Sequence, residues 1–353
     1  MTISIEIAGR PIGSAYEPYI ICELSGNHNG SLDRALKMLE AAAATGADAI
    51  KIQTYTPETI TIDHDSQDFR IEGGLWDGRT LFDLYGEAHT PFDWHAPLFA
   101  RAKELNITLF SSPFDETAVE LLESLHAPAY KIASFELIDL PLVARVARTG
   151  KPMIMSTGMA NEQEIAAAVE TAQTNGCTDL ALLHCVSSYP APIAEANVRS
   201  VALLAERFSC VAGLSDHTPG TSASVAAIAC GASIIEKHFT LARADGGPDA
   251  EFSMEPDEFA ALVQDCKDAW RALGTASFDL RGSERGSLVF RRSLYAVTDI
   301  AEGEAFTPLN VRSIRPGYGL PPKHFQDVLG RKATRDLKRG DALSWDMISH
   351  NDP

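Results

Sequence analysis

The sequence predicts an α/β fold, a (β/α)₈ TIM barrel followed by a small C-terminal domain. Up to about residue 280, short β-branched apolar runs alternate with longer segments of helical period, and these runs number eight. Alternating strands and helices imply parallel pairing with right-handed crossovers, and eight such units are what a closed barrel needs. A doubly wound open sheet is the alternative, but no Gly-x-Gly-x-x-Gly turn follows the first strand.

The predicted strands and helices follow each other in a regular order along the chain. The strands are predicted at Tyr19–Leu24, Ala49–Gln53, Thr108–Ser111, Ala129–Ile132, Pro152–Ser156, Leu180–His184, Cys210–Leu214 and Ser233–Lys237. Periodicity between them predicts helices that include Leu32–Thr45, Ala118–Leu125, Glu162–Asn175 and Thr221–Cys230.

One connection, between Tyr55 and Thr108, is longer than a single helix and its turns require, and it contains GGLWDGRTLFDLYGEAHTPFDWH. Long insertions after barrel strands usually overhang the catalytic face, so we expect a functional role for this segment. A peripheral decoration is the alternative.

The pattern changes past Ser283, and this change sets the predicted domains. We expect a barrel domain at residues 1–282, a linker at 283–290 and a small domain at 291–353. The last segment contains strand-like runs at Ser293–Ala296 and Ala342–Trp345, separated by turns such as AEGE and KRGD. A domain of about 60 residues has a thin core and often leans on another surface.

Charge and composition exclude several functions. The formal charge of −18 argues against nucleic acid or an anionic membrane as a partner. No signal peptide or membrane-spanning stretch is recognisable, and the six cysteines form no CxxC pair, so we expect a cytoplasmic protein without disulfides. An anionic substrate would require basic residues to be concentrated locally.

Polar residues stand at the ends of all eight predicted strands, where barrel enzymes place their chemistry. In GLSDHT, strand alternation puts Ser215 and His217 on one face, and in IEKHFT it puts Glu236 and His238 together. The two strands are neighbours, so both imidazoles can converge on a divalent ion such as Mn²⁺. A hydrogen-bonded structural role is the alternative for either histidine alone.

Basic, hydroxyl and carboxyl groups complete the predicted site. Lys51, which shares a face with Gln53, and Lys131 each finish an apolar strand and would bind an anion rather than extend into solvent. Hydroxyl donors could come from Ser112, Ser134, Ser156 and Ser215, and carboxylates from Glu23, Glu136, Asp216, Glu236 and Asp249. These residues alone indicate a metal-assisted barrel enzyme that acts on a small anionic substrate.

The motifs ELSGNHNG, KIQTYTP, SSPFD, YKIASFE, STGM, HCVSSYPAP, GLSDHT, IEKHFT and GPDAEFSMEP, in this order, resemble the sialic acid synthase family. The tail, from RRSLYAV to RPGYGL, is similar to the antifreeze-like (SAF) domain of that family. The resemblance implies a domain-swapped homodimer and an active site that binds phosphoenolpyruvate, an amino sugar and a divalent metal. Mn²⁺ is the expected ion, with Mg²⁺ or Co²⁺ as alternatives.

The resemblance also implies roles for individual residues. His217 and His238 would hold the metal, Glu23 would act at the reacting centre, and Arg315 would reach the site from the partner subunit. Phosphoenolpyruvate would contact Lys51, Ser112, Lys131, Ser134, Ser156 and Ser215. The other implied substrate-binding residues are Gln53, Glu136, Ser187, Tyr189, Glu236 and Asp249.

Within the family, the long insertion and the run RADGGPDAEFSMEP resemble those of pseudaminic acid synthases. That subfamily would join phosphoenolpyruvate to 2,4-diacetamido-2,4,6-trideoxy-β-L-altrose and water, releasing pseudaminate and phosphate. A 6-deoxy sugar suits an apolar pocket, which Phe69, Trp76, Phe92 and Trp94 could supply; ordinary packing within the loop is the alternative for these residues. The alternatives are an N-acetylneuraminate or legionaminate synthase, a pyruvate aldolase, and a non-catalytic carbohydrate-binding protein.

Overall fold

The computed structural model describes residues 3–350. The chain divides into two compact units, one ending at Gly274 and the other starting at Thr275, whereas the sequence placed the end of the barrel domain at residue 282. None of the helices within residues 3–350 has the length and apolar character needed to cross a lipid bilayer.

Eight parallel strands close into a barrel in the first unit, in chain order, over the part of the chain that the structure describes. They are β3 (Tyr19–Glu23), β4 (Ala49–Thr54), β5 (Thr108–Pro113), β6 (Tyr130–Ile132), β7 (Met153–Ser156), β8 (Leu180–Cys185), β9 (Val211–Asp216) and β10 (Ile234–His238). The (β/α)₈ prediction is therefore confirmed, and each predicted strand overlaps an observed one. β10 pairs with both β3 and β9, which excludes the open sheet.

The barrel interior follows from the alternation of side chains along each strand. Inward residues near the strand starts are apolar and form one buried cluster, which includes Tyr19, Phe110, Ile154 and Ile234. Farther along the same inward rows the side chains become polar. The same strands therefore supply a dry core at one end and a polar site at the other.

Helices cover the outside of the barrel and bury the outward strand residues in a second, larger core. The outer layer consists of α1 (Leu32–Ala44), α4 (Phe92–Glu104), α5 (Glu116–Ser124), α6 (Leu140–Ala147), α7 (Glu162–Thr174), α8 (Ser200–Phe208), α9 (Ser222–Ala229) and α10 (Pro256–Leu273). Two further helices, α2 (Pro57–Ile60) and α3 (Leu81–Ala88), do not belong to this layer. Side-chain caps fix several starts; Asn161, for example, caps α7 and exchanges capping-box bonds with Glu164. The four helices named from the sequence are all present.

An N-terminal hairpin, β1 (Ser4–Ile7) paired with β2 (Arg10–Gly13), closes the end of the barrel where the strands begin. Its Ile5, Ile7 and Ile12 belong to the same buried cluster as Tyr19 and Ile234. The hairpin was not predicted from the sequence. The hairpin leaves the opposite end, with its polar side chains, as the open face of the barrel.

The long insertion after β4 contains one ordinary barrel helix and a second part that lies over the open face of the barrel. α4 packs into the outer core through Leu98 and Ala102, as an ordinary barrel helix would. Between α2 and α3, a loop is closed by an antiparallel bridge between Arg70 and Thr80. The insertion therefore adds α2, this loop and α3 to the open face.

The second unit has its own small core. β11 (Ser293–Ala296) pairs antiparallel with β12 (Val311–Ile314), next to the short helix α11 (Phe325–Val328). Leu294, Phe306, Leu337 and other apolar side chains form its buried cluster. The predicted strand at Ala342–Trp345 is wrong, because Ala342 makes a single isolated bridge with Tyr295 and Trp345 begins a 3-10 turn. The predicted linker, residues 283–290, lies in a 3-10 segment, Gly282–Phe290.

Candidate active site

A cavity of about 650 Å³ opens at the carboxyl ends of the barrel strands. Most of the predicted site residues line it: Lys51, Gln53, Lys131, Ser134, Glu136, Ser156, Ser187, Tyr189, Ser215, His217, Glu236, His238 and Asp249. Glu23 and Ser112 lie directly behind this lining, in contact with the Lys51 ammonium group. Arg315 lies in the second unit and is exposed, so its place in the site stays a prediction.

Two lysines and two glutamates form the floor of the cavity. The Lys51 ammonium contacts the Glu23 carboxylate, donates to Ser112 Oγ at 3.3 Å and lies 3.6 Å from Glu236 Oε1. Lys131 Nζ lies 3.6 Å from the same Glu236 oxygen, which also accepts a hydrogen bond from Ser215 Oγ. All four charged side chains are buried. This floor brings two lysine side chains together in a chain whose net charge is −18, and two glutamates balance them.

Burial and the neighbouring charges decide the protonation of these groups. Burial alone would lower the pKa of Lys51, but Glu23 and Glu236 raise it above its ordinary value. Burial would raise the pKa of Glu236, but Lys131 and Lys51 lower it. For Glu23, burial prevails over Lys51 and raises the pKa. The floor therefore keeps Lys51 and Glu236 charged, whereas Glu23 has an increased affinity for a proton.

Two imidazoles meet above the floor. The ring centroids of His217 and His238 are 5.3 Å apart, and the Tyr189 ring lies 4.4 Å from that of His217. His217 Nδ1 lies 3.0 Å from the carbonyl oxygen of Val186 and donates to it, which leaves Nε2 as the nitrogen that can bind a metal when the ring is neutral. Burial would lower the pKa of His217, but Cys185 and the Val186 carbonyl raise it above its ordinary value. Burial lowers the pKa of His238 well below its ordinary value, so this ring is neutral.

This donor set fits a divalent metal ion. Nδ1 of His238 and Oε2 of Glu236 are buried and find no hydrogen-bond partner among residues 3–350. No group of three or more His, Cys, Asp or Glu side chains in that range is arranged to hold a metal. The chain therefore offers two imidazoles, His217 and His238, to an ion that would take its remaining ligands from substrate or water. Metal binding itself stays a prediction.

Asp249 comes to the cavity on a loop that is fixed on two sides. Its carboxylate accepts a hydrogen bond from Ser25 Oγ and lies 3.8 Å from His238 Nδ1. The indole N–H of Trp76, in the insertion, donates to the carbonyl oxygen of Pro248 at 2.8 Å. The barrel loop after β3 and the insertion thus hold the same carboxylate in place.

The outer part of the cavity is lined by a group of aromatic and aliphatic side chains, which we call the apolar wall. It consists of Ile60, Ile71, Leu75, Trp76, Leu81, Leu84, Tyr85 and Phe114. Of the four aromatic residues predicted to supply such a surface, Trp76 does so. Phe69, Phe92 and Trp94 instead contact the imidazoles of His64, His95 and His28, so that prediction was wrong for these three.

Some residues of the site were missed or misplaced from the sequence. Ser25 follows Glu23 by two positions, and Cys185 continues the inward row of β8, so extending the alternation would have found both. Burial would raise the pKa of the Cys185 thiol, but His217 lowers it below its ordinary value. The prediction that Asp216 supplies a carboxylate to the site was wrong, because its side chain faces away from the cavity and pairs with Lys237.

Fold and site together define a (β/α)₈-barrel protein whose open face combines a floor of paired lysines and glutamates with two neighbouring histidines. The sequence matches the NeuB family over residues 38–278, and a SAF domain over residues 291–349. The chain therefore belongs to the NeuB family.

Individual relatives match over nearly their whole length. A pseudaminic acid synthase of Campylobacter jejuni subsp. jejuni serotype O:2 is 47% identical over 325 residues, 92% of this chain and 95% of that protein. An N,N'-diacetyllegionaminic acid synthase of the same organism is 35% identical over 328 residues, 92% of this chain and 98% of that protein. The crystal structure of an N-acetylneuraminic acid synthetase from Leptospira borgpetersenii superposes with a TM-score of 0.73 at 32% identity, covering 82% of this chain and 96% of that one.

Proposed function

We propose that this protein condenses phosphoenolpyruvate with 2,4-diacetamido-2,4,6-trideoxy-β-L-altrose and water to give pseudaminate and phosphate, a transferase reaction. The observation that carries the proposal is a single cavity lined both by the two lysines of the floor and by the apolar wall. The identity of 47% to a pseudaminic acid synthase, against 35% to a diacetyllegionaminic acid synthase, supports this acceptor over the related ones.

The floor is suited to phosphoenolpyruvate. Lys51 and Lys131 supply two positive charges where the barrel strands end, and Ser156 Oγ is buried without a hydrogen-bond partner among residues 3–350. Ser134 and Ser187 hydroxyls lie 2.8 Å apart and can turn toward an incoming oxygen. Phosphate and carboxylate groups accept charge-assisted hydrogen bonds from such donors. The enol end of the substrate would then lie below the two imidazoles.

His217 and His238 would hold the divalent metal, with Mn²⁺ expected and Mg²⁺ or Co²⁺ as alternatives. A bound ion would supply Lewis-acid polarisation of the aldehyde of the open-chain sugar. Tyr189, which packs against both imidazoles, and Asp249, beside His238, would orient the sugar over the floor. This arrangement would place the aldehyde carbon above C3 of phosphoenolpyruvate.

The remaining steps of the reaction involve the residues of the floor. C3 of phosphoenolpyruvate attacks the aldehyde carbon, and a C–C bond forms as the carbonyl π bond breaks. The aldehyde oxygen takes up a proton and becomes a hydroxyl, and positive charge develops at C2. Water adds at C2 and gives up a proton, which leaves a hydroxyl and the phosphate ester on C2. The C–O bond to phosphate then breaks as that hydroxyl passes its remaining proton to the departing phosphate and becomes the ketone. Glu23 is suited to take the proton that the water gives up, because burial raises its pKa and makes the carboxylate a stronger base. Gln53 Nε2 donates to Glu23 Oε1 at 3.3 Å and would orient it.

The proposal also includes a cytoplasmic location and a domain-swapped homodimer in which Arg315 of the partner subunit contacts the substrate. Both stay predictions.

The test is phosphate release from phosphoenolpyruvate in the presence of Mn²⁺ and the diacetamido-trideoxy-altrose, run beside N-acetylmannosamine and beside a chelated sample. Metal-dependent release with the altrose supports the proposal. Release with N-acetylmannosamine alone would keep the reaction type and replace the acceptor. If neither sugar gives phosphate, the reaction is wrong.

A further inference from the structure

Seven of the eight residues of the apolar wall lie in the insertion, and three of them, Ile71, Leu75 and Trp76, lie in the loop between α2 and α3. The loop closed by Arg70 and Thr80 is held by hydrogen bonds from Ile71 N to Arg79 O and from Gly78 N to Ile71 O, both 2.9 Å. Gly73 and Gly74, with φ of 78° and 74°, turn its tip toward the cavity. The tip therefore presents the side chains of Leu75 and Trp76 to the space above the floor.

Leu75 is 39% exposed although it lines a cavity. Trp76, beside it, is fixed by its bond to the Pro248 carbonyl and by contact with the Tyr189 ring, 5.7 Å away between centroids. Apolar surface held open to water in a concave site gains free energy when an apolar group covers it. The ligand group that suits this position is therefore a small hydrocarbon group.

The position of the apolar wall determines which part of the acceptor can contact its side chains. The aldehyde carbon of the open-chain sugar must lie near the floor and the imidazoles, so the opposite end of its carbon chain extends outward. Tyr189 spans this distance, because it contacts His217 on one side and Trp76 on the other. The terminal carbon of the acceptor, C6, is thus directed to Leu75 and Trp76.

We infer that the apolar wall, with Leu75 at its tip, is the subsite for the C6 methyl group of a 6-deoxy acceptor and that it selects against acceptors hydroxylated at C6. This inference rests on the proposed function. A C6 hydroxyl placed against Leu75, Ile71 and Leu81 would exchange part of its hydration for aliphatic side chains that offer no hydrogen bond, whereas a methyl group has no hydrogen bond to lose.

The experiment compares two acceptors that differ at one atom, the diacetamido-trideoxy-altrose and its 6-hydroxy counterpart. Both kcat/KM, from phosphate release, and Kd, from titration calorimetry, are measured for each sugar. The variants are Leu75→Ser, the apolar replacement Leu75→Met, and Ile62→Ser. Ile62 is the matched control, since it is 57% exposed in the same insertion and lies outside the cavity lining.

We expect the wild-type protein to favour the 6-deoxy sugar by roughly tenfold or more, in kcat/KM and in Kd. Leu75→Ser should remove most of that preference by weakening the 6-deoxy sugar, with the KM for phosphoenolpyruvate unchanged. Leu75→Met and Ile62→Ser should keep the wild-type ratio. An unchanged ratio in Leu75→Ser, or equal use of both sugars by the wild-type protein, overturns the subsite.

The two measurements separate this inference from the proposed function. Preferential binding of the 6-deoxy sugar without phosphate release would overturn the reaction and keep the subsite. Phosphate release at the same kcat/KM from both sugars would keep the reaction and overturn the subsite. Absence of both binding and release would overturn both.

Discussion

Lys237 and Asp216 form a buried ion pair on the outer side of the barrel, with Lys237 Nζ 2.8 Å from Asp216 Oδ2. Each lies between two inward residues of its strand, next to His217 in one case and His238 in the other. Asp216 also accepts hydrogen bonds from Ser224 Oγ and from the backbone and hydroxyl of Thr218. The pair therefore ties β9 to β10 at the level where both imidazoles turn into the cavity.

Replacing Lys237 should destabilise the protein strongly. Lys237→Met leaves the Asp216 carboxylate buried without its cation, and breaking a buried pair in this way costs about 3–5 kcal/mol. The shift of the urea unfolding midpoint, combined with the measured m-value, gives the change. Asp216→Asn combined with Lys237→Met should recover much of the loss.

The matched control for that change is Lys37→Met. Lys37 pairs with Asp33 on the exposed face of α1, where removing the charge should cost less than about 1 kcal/mol. If Lys237→Met shifted the midpoint no more than Lys37→Met does, the pair would have no special role in fixing these strands.

Glu136 should make stability depend on pH near neutrality. Its side chain lines the cavity, and burial raises its pKa from 4.5 to about 7. Below pH 4.5 the carboxyl is protonated in both the folded and the unfolded chain. Between pH 4.5 and 7 only the unfolded chain loses the proton, so stability falls as pH rises, by roughly 3 kcal/mol in total.

The measurement is the free energy of unfolding of Glu136→Gln and of the wild-type protein at pH 5 and pH 8. The variant should be nearly equal to the wild-type protein at pH 5 and more stable at pH 8. Glu206→Gln, on the exposed face of α8, serves as the control and should show no such gain. A Glu136→Gln difference that is the same at both pH values would contradict the raised pKa.

The fold was predictable because the barrel depends on local periodicity. Alternation along single strands also placed most of the floor and both histidines correctly, since side chains at i and i+2 share a face whatever the partner strands do. The apolar wall was not predictable in the same way. Leu75 and Ile71 reach the cavity through an irregular loop, where spacing carries no information on direction, so Phe69 and Phe92 looked equally suitable.

Contacts between elements that are distant in the sequence explain two wrong predictions, because the spacing of residues along one strand carries no information about such contacts. The run Ala342–Trp345 has strand-like composition, but β11 already pairs with β12 and leaves Ala342 a single bridge. Asp216 could be read as a site carboxylate until Lys237, on the neighbouring strand, was seen to face it from the outer side of the barrel.

Lys131 should contribute to the affinity for phosphoenolpyruvate through its local charge. Burial lowers its pKa against the effect of Glu236, so an anion beside it would stabilise the charged form. Loss of a charge-assisted hydrogen bond of about 1.5–3 kcal/mol predicts a KM for phosphoenolpyruvate roughly 10- to 100-fold higher in Lys131→Gln. Initial rates at saturating acceptor measure it, and the KM for the acceptor should change little.

If the net charge of the protein controlled the affinity for phosphoenolpyruvate, removing an exposed lysine would raise the KM as much as removing Lys131 does. Lys103→Gln, at an exposed position of α4, changes the net charge by the same amount and should leave both KM values near those of the wild-type protein. Equal effects of the two substitutions would mean that net charge, and not contact with Lys131, controls the affinity for the anion.

Trp76 should position Asp249 for the acceptor. Trp76→Phe keeps an aromatic ring beside Tyr189. It removes the indole N–H that donates to the carbonyl oxygen of Pro248, and Pro248 directly precedes Asp249 in the chain. One hydrogen bond of about 0.5–1.5 kcal/mol predicts a KM for the acceptor roughly 2- to 10-fold higher, with the KM for phosphoenolpyruvate unchanged. The control is Trp270→Phe, which removes an indole N–H that donates to Ser14 O, away from the cavity lining. Because Trp270 has no route to Asp249, a rise in acceptor KM shared by both variants would indicate general loosening of the fold rather than positioning by Trp76.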